Sequence, residues 1–382
     1  MHWQLETSSL RNERSRVIRQ QIVALLGQRD SPTDAVEEYC HYLGEALQAQ
    51  EFDLKIERVD WKERGWASAL RGLRRRAKWW GGTWVLVQYT ALAWSARGFP
   101  LKFLRVLKTL KAAGARVGVV YHDVEPYSGT RLIDGLRRRA QLRAMREAQP
   151  VSEAAIFTVP AEKVSWIGNQ ATNIVFVPVG ANLPTSGEAS SSRRNASRDG
   201  KLTIAVFGIT GGKAGEKEVE NIVEAVRFAA SRVKNLRLIV LGRHSQDAEA
   251  VLKKSLLDTA VELHVLGVLS GQDVVRKLTV SDVLLFVRAP ISTRRGSAIA
   301  GIACGLPVVA FAGTETAPPI TEAGLALYSP QRKGDLGDVL VRVLEDEHYR
   351  TSLAQRSWLA QAEHFSWHAI AARYAELLRK QK

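Results

Sequence analysis

Apolar positions along the chain follow two rhythms that take turns. Short, nearly continuous apolar runs of strand length occupy 20–26, 83–88, 116–121, 154–159 and 173–179, and 52–59 alternates apolar with polar as a strand does. Between most of them apolar residues recur every three or four positions, the spacing of one helix face. Such stretches are 34–48 (Val36, Tyr39, Cys40, Leu43, Leu47), 66–80, 100–113 (Leu101, Leu104, Leu107, Leu110) and 131–149. Ser31 or Thr33 is the candidate N-cap of the first. Segment 181–199, rich in Ser, Asn and Arg, has neither rhythm and reads as a linker. The alternation then restarts, with strands at 202–207, 236–241, 262–265, 283–287 and 308–311 and helices at 216–231, 245–257, 271–278 and 298–304. Two closing helices, 335–344 and 366–378, have no strand after them.

Alternating strands and helices predict an α/β chain with mainly parallel sheets and cleft residues on the strand-to-helix loops. The expected architecture is two doubly wound, Rossmann-like domains facing a cleft. The first spans 1–183, opening with a polar arm at 1–15, and the second spans 201–363. A linker at 184–200 joins them, and a final helix, 364–382, crosses back onto the first domain.

The stretch 282–311, DVLLFVRAPISTRRGSAIAGIACGLPVVAF, carries the clearest chemistry. A buried strand leads to a polar turn, then a small-residue helix with Gly305 at its C-cap and Pro307 beyond. A turn that feeds a helix N-terminus presents unpaired backbone N–H groups and the positive end of a dipole. Ser292, Thr293, Arg294, Arg295, Gly296 and Ser297 therefore form a candidate seat for an anion, most naturally a phosphate.

Composition sharpens this picture in one place. The chain has 382 residues and a formal net charge of +15. Between Arg71 and Pro150 stand 17 Lys and Arg against 4 Asp and Glu, so this segment contributes 17 − 4 = +13. Six of the ten tryptophans fall in or just before it. Basic residues beside indoles suit an anionic membrane surface, with Arg74, Arg75, Arg76, Trp79 and Trp80 the expected contact. Nucleic acid is not expected as a partner, because no recognition motif accompanies the charge. No apolar run approaches the roughly 18 residues of a membrane span, and the first residues have no signal-peptide core. Two cysteines in different halves, Cys40 and Cys304, suggest buried thiols in a reducing compartment.

Several familiar motifs fail. The loop Gly208-Ile209-Thr210-Gly211-Gly212-Lys213-Ala214 is too short for a P-loop and has Ala214 where a metal-binding hydroxyl belongs. It can still bring Gly208 and Lys213 to a phosphate. His364 and His368, four apart, lack the rest of a zinc motif, and no metal ligand set is expected. His122 stands out because it closes a predicted central strand and precedes Asp123 and Glu125. A loop-end His-Asp pair suits a proton carrier or a ligand for sugar hydroxyls.

The segments IACGLPVVAF (302–311), PVGANLP (178–184) and FSWHAIAARY (365–374) resemble the GT-B glycosyltransferases, specifically the group 1 family that uses nucleotide-sugar donors. The resemblance runs over roughly 20–378 and implies a donor diphosphate in the second domain, an acceptor in the first and reaction in the cleft. This chain departs from the family at three positions. Two glutamates eight apart are replaced by Ser292 and Ala300, and an arginine after the Phe207-Gly208 pair is Ile209. Arg294 and Arg295 are the expected substitutes. The implied reading is a cytoplasmic glycosyltransferase, peripheral on the inner face of the membrane, with a lipid-linked or polysaccharide acceptor. It would need no cofactor beyond its nucleotide-sugar co-substrate. A nucleotide-sugar epimerase of the same fold and an inactive sugar- or lipid-binding scaffold are the rival readings.

Overall fold

The computed structural model describes residues 19–30, 33–168, 171–184 and 200–380. The polar arm at 1–15, Ser31 and nearly all of the expected linker lie outside them. The first half runs β1 (Gln20–Leu26), α1 (Ala35–Gln48), β2 (Phe52–Arg58), α2 (Trp61–Arg64), α3 (Trp66–Ala77), β3 (Trp84–Tyr89), α4 (Phe103–Ala112), β4 (Arg116–Tyr121), α5 (Leu132–Ala148), β5 (Ala154–Phe157) and β6 (Ile174–Phe176). The second runs β7 (Leu202–Phe207), α6 (Lys213–Ala230), β8 (Leu236–Leu241), α7 (Glu249–Leu256), β9 (Glu262–Gly267), α8 (Gly271–Thr279), β10 (Val283–Leu285), α9 (Gly296–Ala303), β11 (Val308–Ala310), β12 (Leu325–Leu327), α10 (Asp335–Glu345), α11 (Glu347–Ala360) and α12 (Trp367–Lys380).

Among the described residues these strands make two six-stranded sheets, β2-β1-β3-β4-β5-β6 and β12-β11-β10-β7-β8-β9, in which every pairing is parallel. In each order the chain first steps one way and then the other, so there is a switch point between β1 and β3 and another between β7 and β10. Loops leaving those strands diverge and leave a crevice between them. Three elements escaped the sequence reading, the four-residue α2 among them. Strand β12 is three residues long, too short to show as a run. Helix α11 buries only Leu353, Ser357 and Ala360, so its apolar stripe is thin.

Local chemistry sets the boundaries. Asp34, not Thr33, caps α1: its backbone is extended and its carboxylate accepts from the N–H groups of Val36 and Glu37 at 3.1 and 3.2 Å. Helix α9 ends in a Schellman turn, with Leu306 N–H bonded to Gly301 O and Gly305 N–H to Ile302 O. Gly305 sits at φ +65° under the Trp358 indole, where a Cβ would come within 2.2 Å of the ring. Only glycine fits there.

Strand residues alternate between two cores. Ile22, Ala24 and Leu26 of β1 face α1 and α12, whereas Val23 and Leu25 face α3 and α4. The first of these cores continues without a break into the second sheet through Ala205, Leu284 and α9. The last helix makes the join. Tyr374 Oη meets Tyr39 Oη at 2.9 Å, Trp84 Nε1 donates to Leu378 O at 3.3 Å, and Trp367 Nε1 donates to Ala181 O at 2.7 Å. The Trp367 ring also stacks on Tyr42.

Helices α3, α4 and α5 form one layer over the other face of the first sheet and carry most of the local positive charge. The expected membrane contact on α3 needs correcting here. Trp80 is 7% exposed and packs in the core beneath the helix, following Leu73 and Ala77 at helical spacing. Arg76 is tied to Arg58 O and Glu57. Of the five residues, Arg74, Arg75 and Trp79 (86% exposed) remain on the surface.

Removing the Trp367 side chain should cost about 3–5 kcal/mol, the usual range for a buried tryptophan. Trp79→Ala should change stability by less than about 0.5 kcal/mol, as expected for a surface site. Urea denaturation of the two variants checks the contrast.

Candidate active site between the two sheets

Three loops meet at the carboxyl edges of the sheets: 122–131 after β4, 207–213 after β7 and 286–295 after β10. Loop 286–295 is anchored across the gap. Thr293 is fully buried, its Oγ1 donates to Thr158 O at 2.6 Å, and its carbonyl accepts from Val179 N–H. Ser292, equally buried, donates to Glu315 at 3.2 Å. These two hydroxyls hold the turn and the two halves together. They do not reach a ligand, contrary to the sequence expectation. Arg243, after β8, makes a second bridge, to Thr33 and to Asp30 at 3.2 Å.

The arginines divide by partner. Arg294 makes a two-pronged pair with Glu315, Nε and Nη2 each at 2.7 Å. Burial opposes its charge, but Glu315, then Asp123 and Glu125, outweigh that and raise its pKa. Glu315 is held low in return. Arg295 has no carboxylate in reach among the described residues, and only its Nε is engaged, by Pro290 O at 3.3 Å. Burial, then Arg294 and Arg288, push its pKa down to about 10. Arg288, which leaves β10, reaches over Gly208 toward Thr210 at 3.5 Å and is also lowered, by burial and then Arg243. Gly208 has φ +77°, and a Cβ there would lie 3.1 Å from the Arg288 guanidinium.

Arg295, lowered by burial, Arg294 and Arg288, and Arg288, lowered by burial and Arg243, together form a candidate seat for an anion on electrostatic grounds. Gly296 and Ser297 at the start of α9 are exposed or half-buried beside them, and Lys213 opens α6 on the surface. The helix N-termini add to the same field.

Facing this edge, His122 is neutral. Gln88 donates its amide to Leu86 O at 3.1 Å, so its Oε1 must accept from His122, 2.8 Å away. His122 therefore carries its proton on Nε2. Burial pushes its pKa down to about 4, with a smaller push from Arg294 against a pull from Asp34. It cannot act as a cationic acid near neutral pH. Asp123 accepts from Ala91 N–H at 2.8 Å through Oδ2, and burial raises its pKa. Glu125 is occupied by Ser165, through N–H at 2.5 Å and Oγ at 2.7 Å. Asp123 lines two cavities. One, of about 830 Å³, also takes in Glu125, Tyr127, Arg138, Lys163, Arg294 and Glu315. The other, of about 260 Å³, lies toward Asp34, Arg58 and Gln28, whose Oε1 is buried without a partner. Among the described residues no group of three His, Cys, Asp or Glu could hold a metal ion.

No family model matches the chain and no curated protein matches it in sequence. Solved structures do match in shape. HepE of Anabaena, solved with UDP and glucose, superposes with a TM-score of 0.64 at 15% identity, covering 95% of this chain and 100% of that one. WaaG, a glycosyltransferase involved in lipopolysaccharide biosynthesis, gives 0.62 at 15% identity over 94% and 100%. A putative UDP-N-acetylglucosamine 2-epimerase from Listeria monocytogenes gives 0.59 at 12% identity over 93% and 95%. The chain has the GT-B fold. Within that fold the structure brings His122, Asp123, Gly208, Arg294, Arg295, Gly296 and Ser297 to the facing edges and leaves Arg74, Arg75 and Trp79 on a different face.

Arg288 and Glu315 were missed by sequence reasoning. Arg288 directly follows the predicted strand at 283–287, a signal that could have found it. Glu315 lies in a loop with no pattern of its own.

His122 should titrate near 4, with its neutral ring protonated at Nε2, in a nitrogen-detected NMR titration. The folded pKa lies below the ordinary 6.5, so the unfolded chain binds the extra proton first. Stability should therefore fall as pH drops from about 6.5 to about 4, by roughly 2–3 kcal/mol from this group. His122→Gln should remove that part of the slope in denaturation curves taken across the window.

Proposed function

We propose that the protein is a glycosyltransferase that moves a sugar from a nucleoside diphosphate to an acceptor seated beside Asp123. The observation carrying this reading is the 830 Å³ cavity, where the loop after β4 and the Arg294–Glu315 pair share one wall next to the anion site. An epimerase needs room for one substrate. Here a large second space adjoins the phosphate-binding edge, which favours a two-substrate reaction.

In this reading Arg288, Arg295, Lys213 and the start of α9 hold the diphosphate and offset the charge that grows on the departing phosphate. Arg288 supplies, from a different strand, the guanidinium that Ile209 cannot. Glu315 returns a carboxylate to the side of Ser292, at 3.2 Å from its hydroxyl. The acceptor hydroxyl donates to Asp123. If it attacks from the face opposite the leaving phosphate, Asp123 takes its proton. If it attacks from the same face, the leaving phosphate takes it. Neither route uses a residue as nucleophile, and His122 serves as a neutral hydrogen-bonding wall. Support for an acceptor at a membrane is the +13 of segment 71–150, and the lipid-linked or polysaccharide class, acting at the cytoplasmic face, is part of the proposal.

A hydrogen bond to a charged group contributes about 1.5–3 kcal/mol, or roughly 10- to 150-fold in affinity. Arg295→Ala and Arg288→Ala should each weaken UDP binding by about that factor while barely changing uridine binding, measured by calorimetry. Arg295→Lys should recover only part, having lost the planar fork. Equal losses for UDP and uridine would remove the phosphate assignment.

Asp123→Asn should lower turnover with UDP affinity intact. Product analysis with a UDP-sugar alone separates transferase from epimerase: interconversion of the sugar without acceptor would establish the latter.

A further inference from the structure

Helix α5 presents an unusual outer face. Leu132 is 98% exposed and Leu136 54%, with Ile133 and, just before the helix, Tyr127 also open to solvent. At about 100° per residue, Leu132, Leu136, Arg139 and Arg143 fall within about 60° of arc. The buried positions Asp134, Gln141, Ala144, Met145 and Ala148 lie on the opposite side. The stripe is thus apolar for its first two turns and basic beyond. Asp134, the acid of the first turn, is buried and committed to Arg137 and the helix start. On the exposed side Arg131, Arg138, Arg139, Arg143 and Arg146 face a single acid, Glu147, which pairs with Arg143.

The segment leading into this helix, with Tyr127 and Ser128, lines the 830 Å³ cavity, as do Arg138 of the helix itself and Leu92, 65% exposed, across the mouth. We infer that the first two turns of α5 dock onto an anionic lipid bilayer and hold the mouth of the cavity against it. The leucines enter the acyl boundary, and Arg139 and Arg143, about 10 and 16 Å further along the axis, lie toward the phosphates. A second copy of the chain would oppose like charge to like charge, and nucleic acid would leave the leucines without a role. The inference rests on the transferase reading only for what the cavity receives: an acceptor anchored in that bilayer would reach Asp123 without leaving it.

Cosedimentation of the full chain with vesicles of mixed phosphatidylglycerol and phosphatidylcholine, against phosphatidylcholine alone, tests it. The wild type should bind the anionic vesicles. The Leu132→Ser/Leu136→Ser variant should lose roughly 10-fold or more per leucine. Arg139→Glu/Arg143→Glu should lose the preference for anionic lipid. Arg74→Glu/Arg75→Glu/Trp79→Ser, on α3, should bind as the wild type does. All these side chains are on the surface, so melting temperatures should not move. Failure of the wild type to bind, equal losses from the α3 variant, or leucine-dependent self-association on gel filtration would each overturn the docking edge. UDP calorimetry on the same samples keeps the two readings apart. Vesicle binding without UDP binding removes the transferase and leaves the docking edge. UDP binding with no effect of the α5 variants does the reverse.

Discussion

The structure is organised around a concentration of positive charge along one edge of the second sheet, part of it withdrawn from solvent. Four guanidinium groups, Arg243, Arg288, Arg294 and Arg295, stand along the carboxyl edge of the second sheet. Two have acidic partners: Asp30 for Arg243, and Glu315 for Arg294. Arg288 and Arg295 make no ion pair among the described residues, Glu218 and Glu315 acting on them only from a distance. Burial in a medium less polarisable than water makes the charges of Arg288 and Arg295 harder to keep, and a neighbouring guanidinium adds to this, Arg243 beside Arg288 and Arg294 beside Arg295. Such an arrangement persists only because the packing beneath it is stronger than the repulsion. The buried hydroxyls of Ser292 and Thr293, the Thr158 carbonyl and the continuous core between the sheets supply that packing. An incoming diphosphate would relieve what the fold alone sustains.

The two halves of the site treat charge in opposite ways. On the second sheet, charge is crowded and kept. On the first, it is suppressed: His122 is held neutral by burial, its proton fixed on Nε2 by a glutamine that has no choice of orientation. Asp123 is the only member of that loop with a carboxylate oxygen left for a ligand, since Glu125 is spent on Ser165. In the proposed reading an anionic substrate would lie with its phosphates toward Arg288 and Arg295 and the rest toward Asp123.

Much of this was legible in the sequence, because apolar runs separated by helical spacing leave few arrangements other than parallel sheets with loops at the carboxyl edge. The turn at 292–297 was located on that ground, and so was His122. The roles within the turn were not legible. Ser292 and Thr293 have the same chemistry whether they face a ligand or a carbonyl of the other half, and only the docking of β6 and its following segment decides. Glu315 gains its meaning from a contact with a residue 21 positions earlier. Trp79 and Trp80 show the opposite case. Helical spacing from Leu73 and Ala77 already put Trp80 inward, and composition, read without position, hid it. The same spacing put Leu132 and Leu136 opposite Ala144 and Met145.

The return of α12 to the first sheet also has a consequence in time. A chain is made from its amino end, and the first sheet is complete in strands once β6 has emerged. The patch that α12 closes, with Trp84 of β3 and Tyr39 and Leu43 of α1 beside it, is not covered until α12 follows some 200 residues later. At 5–20 residues per second that is an interval of roughly 10–40 s. During it the nascent first half leaves the apolar patch beside α1 without the helix that closes it. Its safe passage depends on whatever shields nascent chains, more than on any contact visible in the finished fold.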